Sequence, residues 1–242
     1  MNRLLALLLA ALLPGSALAA DAPAKEKKWK DQTELSLVTA NGNSRITTVS
    51  AKNVFAWDFR PSYRLDSEAG AVNSKSQGAV TTEQFYALEK VTRKLSERNY
   101  LFQEYRWDRD PLASLAHRHA LNAGCGRELW KTEKDLLIAE AAPGYVYEER
   151  IGADRNDYAS GRLYSKFSRQ LNPSASFSQD VEHVQSLVLL KDNRLKTETA
   201  VTAALSDRFS IKASFLWKHN SYPPGAVLKD DTTTAIALIT SF

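Results

Sequence analysis

TTTAIALITSF, residues 232–242, is the stretch that decides the fold. Polar and apolar residues alternate up to the last position, which is the aromatic Phe242. A period of two places Thr234, Ile236 and Leu238 on the same strand face as that ring. Chain ends usually fray in water, so this one needs a partner strand and an apolar surrounding. Both are available in a closed membrane barrel, where the last strand pairs with the first and the terminal ring lies at the lipid interface.

The first twenty residues have the layout of a secretory signal peptide. Arg3 precedes an apolar run at residues 4–13, and small residues follow before position 21. The run is shorter than the about 20 residues that a membrane-spanning helix needs, so cleavage is expected. We predict a signal peptide at 1–20, a short polar arm at 21–30 and a single barrel domain at 31–242.

The composition excludes several classes of protein. A net charge of +4 from 32 basic and 28 acidic residues does not favour nucleic acid as a partner. The single cysteine, Cys125, allows no internal disulfide. No stretch of the chain indicates a cofactor.

Alternation recurs along the whole mature chain and predicts an all-β fold. The candidate strands lie near residues 31–40, 46–59, 63–72, 82–94, 99–109, 117–130, 136–148, 157–170, 174–186, 194–205, 209–220 and 232–242. Short connections alternate with mostly longer ones, including one expected around 73–81, while the Asn-Gly at 41–42 signals a tight hairpin. This pattern is typical of a closed antiparallel transmembrane β-barrel, here of about 12 strands, with periplasmic N- and C-termini.

One segment of the predicted strands also has the residue spacing of a short helix. Residues 87–98 place Leu88, Val91 and Leu95 at helical spacing with charges between them. We predict a strand and a turn there, because the long strands on both sides would otherwise lose their partner.

Alternation alone does not separate a soluble, lipocalin-like barrel from a membrane barrel with its faces exchanged. Two aromatic bands favour the membrane barrel, since Trp and Tyr prefer the headgroup boundary. One band lies beside the short turns: Phe55, Trp57, Phe59, Tyr63, Trp130, Phe167, Phe177 and Phe209. The other lies near the longer loops: Tyr105, Trp107, Tyr145, Tyr147 and Trp217.

The opposite strand face carries charges of both signs, which a wet or ion-paired lumen accommodates and a lipid face does not. The side chains predicted to line the lumen are Arg64, Asp66, Glu68, Glu104, Arg106, Arg162, Lys166, Asp180, Glu182, Lys196, Glu198, Lys212 and Lys218.

Three segments resemble the YdiY-like family of salt-induced outer-membrane proteins, a domain of unknown function. They are ELSLVTANGNSRITTVSAKN, YLFQEYRWDRDPLASLAHRHALNAGCGREL and YPPGAVLKDDTTTAIALITSF, and the resemblance covers nearly the whole mature chain. It implies a β-barrel of the Gram-negative outer membrane and no particular reaction. The final Phe242 resembles the signal read by the barrel-assembly machinery, so this machinery, outer-membrane lipid and lipopolysaccharide are the expected partners.

Enzymatic and metal sites have weaker support. His117 and His119 lie beside a longer connection, but no nucleophile-elbow pattern accompanies them. Asp108 and Asp110 across the hairpin could join them as metal ligands by residue type, although loops contain such mixtures by chance. We predict no catalytic, metal or cofactor residues.

The predicted function is therefore that of a non-enzymatic outer-membrane protein. It would be a narrow channel or a structural component of the envelope, linked to osmotic or salt conditions. The alternatives are an outer-membrane hydrolase or acyltransferase with a site at the rim, and a soluble periplasmic β-barrel binding protein.

Overall fold

The computed structural model describes residues 27–40, 46–152, 155–223 and 227–242, and almost all of them lie in twelve β-strands. In chain order these are β1 (Trp29–Ala40), β2 (Ile46–Arg60), β3 (Tyr63–Ser76), β4 (Ala79–Lys94), β5 (Asn99–Asp110), β6 (Leu115–Lys131), β7 (Asp135–Arg150), β8 (Asn156–Asn172), β9 (Ala175–Ser186), β10 (Asn193–Ala204), β11 (Phe209–Asn220) and β12 (Asp230–Ser241). A 3₁₀ turn, Pro111–Ala113, connects β5 to β6. No helix within these four ranges is long and apolar enough to cross a bilayer.

Each strand pairs antiparallel with its neighbours in the chain, and β12 pairs with β1 to close the barrel. The closing register aligns Gln32 with Ser241 and Leu35 with Leu238. The backbone N–H of Phe242 donates to the carbonyl of Asp31 at 3.0 Å. The chain end is therefore held by its first strand, and the predicted closed antiparallel barrel of twelve strands is confirmed.

The ambiguous segment at 87–98 is a strand followed by a turn, as predicted. β4 continues to Lys94 and β5 starts at Asn99. The backbone N–H groups of Leu95 and Ser96 both donate to the carbonyl of Asn99, at 2.9 and 3.2 Å. Pairing with β3 and β5 overrides the local helical spacing, because a helix would leave both neighbours without ladder hydrogen bonds.

The expectation of a longer connection around 73–81 is wrong. β3 and β4 are joined by Gln77 and Gly78 alone, with φ values of 50° and 87°. Positive φ at both central residues is the requirement of a type I′ hairpin turn. The tight turn was hidden because Gln-Gly is a weaker signal than Asn-Gly. The predicted Asn-Gly turn at 41–42 and the signal peptide at 1–20 lie outside the described residues.

The two faces of the sheet have the polarity of a membrane barrel. Outward apolar side chains are exposed, with Phe215 at 48% and Ile236 at 62%. Charged side chains on the opposite face, including Glu104 and Glu140, are buried. This is the reverse of a soluble barrel, in which apolar side chains fill the interior. The predicted aromatic bands lie at the two ends of the strands.

Candidate functional site

The lumen is the candidate functional site, because it collects the charges that strand alternation directs away from lipid. The cross-strand register places every side chain predicted to line the lumen on the inward face of the wall: Arg64, Asp66, Glu68, Glu104, Arg106, Arg162, Lys166, Asp180, Glu182, Lys196, Glu198, Lys212 and Lys218. These residues fall into groups with very different access to water.

One half of the lumen is closed by a buried ion-pair network that we call the Arg162 cluster: Arg162, Glu104, Glu140, Glu182 and Lys90. The guanidinium of Arg162 lies 2.6 Å from the carboxylate of Glu182, 3.1 Å from that of Glu140 and 3.4 Å from that of Glu104. Lys90 forms a further ion pair with Glu140. The Arg162 side chain is only 5% exposed. The cluster joins strands β4, β5, β7, β8 and β9 and leaves little room for solvent between them.

Neutral groups complete the hydrogen bonding of this cluster. The hydroxyl of Tyr100 donates to Glu140 at 2.7 Å, and the amide of Asn122 donates to Glu104 at 3.3 Å. The Tyr100 ring lies against Gly126, where an added Cβ would be 2.2 Å from the ring. Gly126 is thus a close-packing position, because the missing side chain leaves room for the Tyr100 ring that reaches the Glu140 carboxylate.

A second buried network, the Glu148 cluster, consists of Glu148, Arg118, Arg150 and Arg194. The Glu148 carboxylate is fully buried and lies 2.8 Å from the Arg118 guanidinium and 2.9 Å from that of Arg194. Arg150 also contacts it, and Arg194 in addition donates to the hydroxyl of Tyr158. Three guanidinium groups thus surround one carboxylate at the end of the lumen next to the longer loops, and Arg194 also lies 3.9 Å from the buried Asp192.

The opposite wall has more access to water. Lys212 lies 2.8 Å from Glu198 and 3.4 Å from Glu34, and Lys52 lies 3.2 Å from Glu68. These side chains are partly exposed, and Arg64 nearer the short turns reaches 43% exposure. Lys166, on β8 between the Arg162 cluster and the short turns, reaches 42%. The lumen is therefore asymmetric, with one dry half and one partly wet half.

A hydrogen bond crosses the lumen between β4 and β11 near the longer loops. The Lys218 Nζ on β11 donates to the Gln84 side-chain oxygen on β4 at 3.1 Å. The Gln84 amide in turn donates to Asp110 at 2.8 Å. Because β4 and β11 are on opposite sides of the barrel order, this contact narrows the wet half of the lumen.

Comparison with known proteins gives the family. A model of the family described as "Protein of unknown function, DUF481" matches residues 33–242. The chain belongs to the DUF481 family. It is also 24% identical to the uncharacterized protein YdiY of Escherichia coli (strain K12) over 220 residues, which covers 90% of this chain and 85% of that relative. The predicted family resemblance is confirmed.

Solved structures agree with the fold. The translocator domain of autotransporter NalP from Neisseria meningitidis superposes with a TM-score of 0.51 at 10% identity, covering 91% of this chain and 90% of that one. The NanC porin superposes with a TM-score of 0.50 at 7% identity, covering 88% and 97% respectively. At these identities the likeness concerns the barrel fold.

The polarity of this DUF481 barrel determines its surroundings. An exposed apolar outer face requires lipid, and a closed barrel is the arrangement in which strands cross a membrane without unpaired backbone groups. A bacterial chain of this architecture belongs to the outer membrane. The protein is an outer-membrane β-barrel.

The histidines of this DUF481 chain do not form the site that residue types allowed. His117 accepts from the Trp107 indole at 3.2 Å, and His119 shares a hydrogen bond of 2.7 Å with the Tyr105 hydroxyl, all on the outward face. Asp108 points inward, where it pairs with an arginine at 2.7 Å. The histidines and the carboxylate are therefore on opposite faces of the wall. In the described ranges there is no group of three or more His, Cys, Asp or Glu side chains arranged to hold a metal ion.

Sequence reasoning missed several members of the inward charge networks: Glu34, Lys52, Lys90, Arg118, Glu140, Glu148, Arg150 and Arg194. A usable signal was present for some of them. Glu140 and Glu148 occupy even-numbered positions on β7, whereas the outward Tyr145 and Tyr147 occupy odd-numbered positions. Strict alternation from those two aromatic residues would have placed both carboxylates in the lumen.

Proposed function

We propose that this protein is a narrow, non-enzymatic channel of the bacterial outer membrane that passes small ions. The observation that carries the proposal is the partly wet wall of charges of both signs, running from Arg64 near the short turns to Lys218 near the longer loops. A twelve-stranded barrel is intermediate in width between packed eight-stranded barrels and open 16-stranded porins. The Arg162 cluster reduces that width further, so only small hydrated solutes fit.

Three features of the envelope context belong to the same proposal. Both termini and the short turns face the periplasm, and the longer loops face the cell exterior. The apolar belt contacts outer-membrane lipid and lipopolysaccharide, and the barrel-assembly machinery inserts the chain. A link to salt conditions would follow from the wet wall, because its partly exposed ion pairs weaken as ionic strength rises.

Single-channel recording in planar bilayers tests the proposal. We expect small, discrete conductance steps from the purified barrel. Gln84→Ala removes the hydrogen bond across the lumen without changing charge and should raise the unitary conductance. The matched control is Gln179→Ala, because Gln179 lies on the outward face and donates to Thr197 at 2.7 Å.

The outcomes separate the two envelope roles. If neither the wild-type barrel nor Gln84→Ala conducts while both are folded and inserted, the channel is wrong and a structural role in the envelope remains. If both conduct equally, ions do not pass the Lys218–Gln84 contact, and the proposed path is wrong.

A further inference from the structure

Two lysines face each other across strands in the wet half of the lumen. Lys196 on β10 and Lys218 on β11 are Cα partners in the antiparallel register, and both side chains point inward. Like charges directly opposite each other on a sheet are destabilising. Such an arrangement needs compensation from somewhere in the lumen.

The described residues provide little direct compensation. In residues 27–40, 46–152, 155–223 and 227–242, neither lysine has a carboxylate oxygen within the 4.0 Å of an ion pair. The Lys218 ammonium has the neutral side-chain oxygen of Gln84 as its hydrogen-bond acceptor, at 3.1 Å. This contact fixes its position without neutralising its charge.

In a second like-charged pair, each charge is compensated by an ion pair with an oppositely charged side chain. Asp180 and Glu198 are also Cα partners, on β9 and β10. Each has its own lysine, with Lys166 at 3.6 Å from Asp180 and Lys212 at 2.8 Å from Glu198. The lysine pair differs, because in the part of the chain that the structure describes neither lysine has a carboxylate oxygen of its own at ion-pair distance.

Carboxylates act on both lysines from beyond ion-pair distance: Glu68, Asp180, Glu182 and Glu198 on Lys196, and Asp108, Asp110 and Asp231 on Lys218. Several of them have a closer cation as partner. Glu182, the β9 partner of Lys196, is bound to Arg162 at 2.6 Å. Asp231, the β12 partner of Lys218, is an exposed residue at the beginning of its strand and lies beyond ion-pair distance. Arg106 on β5 acts electrostatically on Lys218 as a further cation, and its own ion pair is with Asp108 at 2.7 Å.

We propose that Lys196 and Lys218 form an anion site in the lumen that takes small oxyanions, the phosphate or carboxylate groups of small solutes. Each ammonium offers three donors, and an anion between them replaces repulsion with two charge-assisted hydrogen bonds. Gln84 holds one ammonium in place from the opposite wall. The inference rests on the channel proposed above, for which it names the class of solute.

Inorganic phosphate is the probe. Isothermal titration of the folded barrel in detergent at low ionic strength measures binding, and phosphate block of the current in planar bilayers measures occupancy of the lumen. Lys196→Gln and Lys218→Gln should each weaken phosphate binding about tenfold or more, because each removes a hydrogen bond to a charged group. The matched control is Lys212→Gln. It removes the same charge from β11, the strand of Lys218, but from a lysine that is already paired with two carboxylates.

The results distinguish this site from the channel itself. Phosphate binding that is lost in both lysine variants and kept in Lys212→Gln supports the site, whether or not the barrel conducts. Equal weakening in all three variants overturns it, because a general field of the lumen would then be responsible. Conductance without any phosphate binding also overturns the site and leaves the channel standing. Heat-modifiable gel migration of each variant establishes that it is folded.

Discussion

Arg162 holds three carboxylates in a part of the lumen that water scarcely reaches. Glu104 and Glu140 are each only a few per cent exposed, and their charges are balanced by Arg162 and Lys90. Burying a charge is costly unless it is paired and hydrogen-bonded. At the residue scale, the stability of the dry half therefore depends on a few cations.

Arg162→Gln should destabilise the barrel strongly, since it leaves carboxylates buried without their cation. Breaking a buried ion pair from one side costs about 3–5 kcal/mol. Urea unfolding of the barrel in detergent micelles measures the change. The matched control is Arg64→Gln, whose ion pair with Asp66 is largely exposed; exposed pairs contribute about 1 kcal/mol or less. Similar losses in the two variants would contradict the buried role of Arg162.

The pairing of β6 with β7 is shaped by a residue that lacks a backbone N–H and by another that lacks a side chain. Pro143 has no backbone N–H to donate, and the backbone pairing of the two strands is interrupted between Asn122–Gly144 and Cys125–Ala141. Within this gap a Cβ on Gly124 would be only 2.1 Å from the carbonyl oxygen of Ala141. The backbones of β6 and β7 can approach this closely because Gly124 has no side chain.

Gly124→Ala should therefore destabilise the barrel by about 1–3 kcal/mol, the usual cost of overpacking. Gly161→Ala on β8 is the control, because the nearest atom to an added Cβ there is at 3.9 Å. Thermal or urea unfolding that ranks Gly161→Ala as the more harmful change would refute this account.

The β3–β4 turn carries strain that a substitution can relieve. Gln77 has a positive φ of 50°, a conformation that costs about 1–2 kcal/mol for residues other than Gly and, to a lesser degree, Asn and Asp. Gln77→Asn should stabilise the barrel by up to about 1 kcal/mol, because Asn-Gly is the favoured type I′ pair. Gln103→Asn on the outward face of β5 should give no gain. A loss of stability in the Gln77 variant, measured by urea unfolding, would show that the turn is not of this type.

The closure of the barrel joins strands from opposite ends of the described chain. The β1–β12 seam is held by backbone pairing from Gln32 to Leu35 and by the N–H of Phe242 on Asp31. At the scale of the whole molecule, removal of one terminal residue affects both the seam and the aromatic band.

Deletion of Phe242 should lower the yield of folded, membrane-inserted barrel, because it removes the last seam hydrogen bond and the proposed assembly signal. Phe242→Tyr should retain most of the yield, since it keeps both the backbone group and an interfacial ring. Heat-modifiable migration of membrane fractions measures the folded yield in cells. Equal yields for the deletion and the wild-type chain would remove any special role for this residue.

The orientation of the barrel can be tested in the same cells. In a Cys125→Ala background, a cysteine in place of Leu189, in the β9–β10 loop, should react with a membrane-impermeant maleimide on intact cells. A cysteine in place of Glu97, in the short β4–β5 turn, should react only after the outer membrane is opened. The reverse pattern would place the termini outside the cell.

The two-residue periodicity of the sequence was sufficient to predict the barrel architecture. Alternation specifies a strand and its two faces, so twelve strands, the apolar outer side and the charged inner side could all be predicted, including the strand reading of residues 87–98. The outcome at 73–81 shows the limit of local signals, because a two-residue turn of Gln and Gly differs little in composition from a longer loop. Strand ends and turn types depend on how neighbouring strands fit together.

The partners inside the lumen were decided by tertiary structure alone. Alternation predicts that Arg162 and Glu104 both face inward. They lie on β8 and β5, however, and their 3.4 Å contact depends on the pairing register of all the strands between them. The same is true of Lys218 and Gln84, which meet across the barrel at 3.1 Å. The sequence by itself determined a closed barrel with a charged interior, since side-chain period and polarity are local properties. Which charges are neutralised by an ion pair depends on the stagger and curvature of the closed wall, which no single strand encodes.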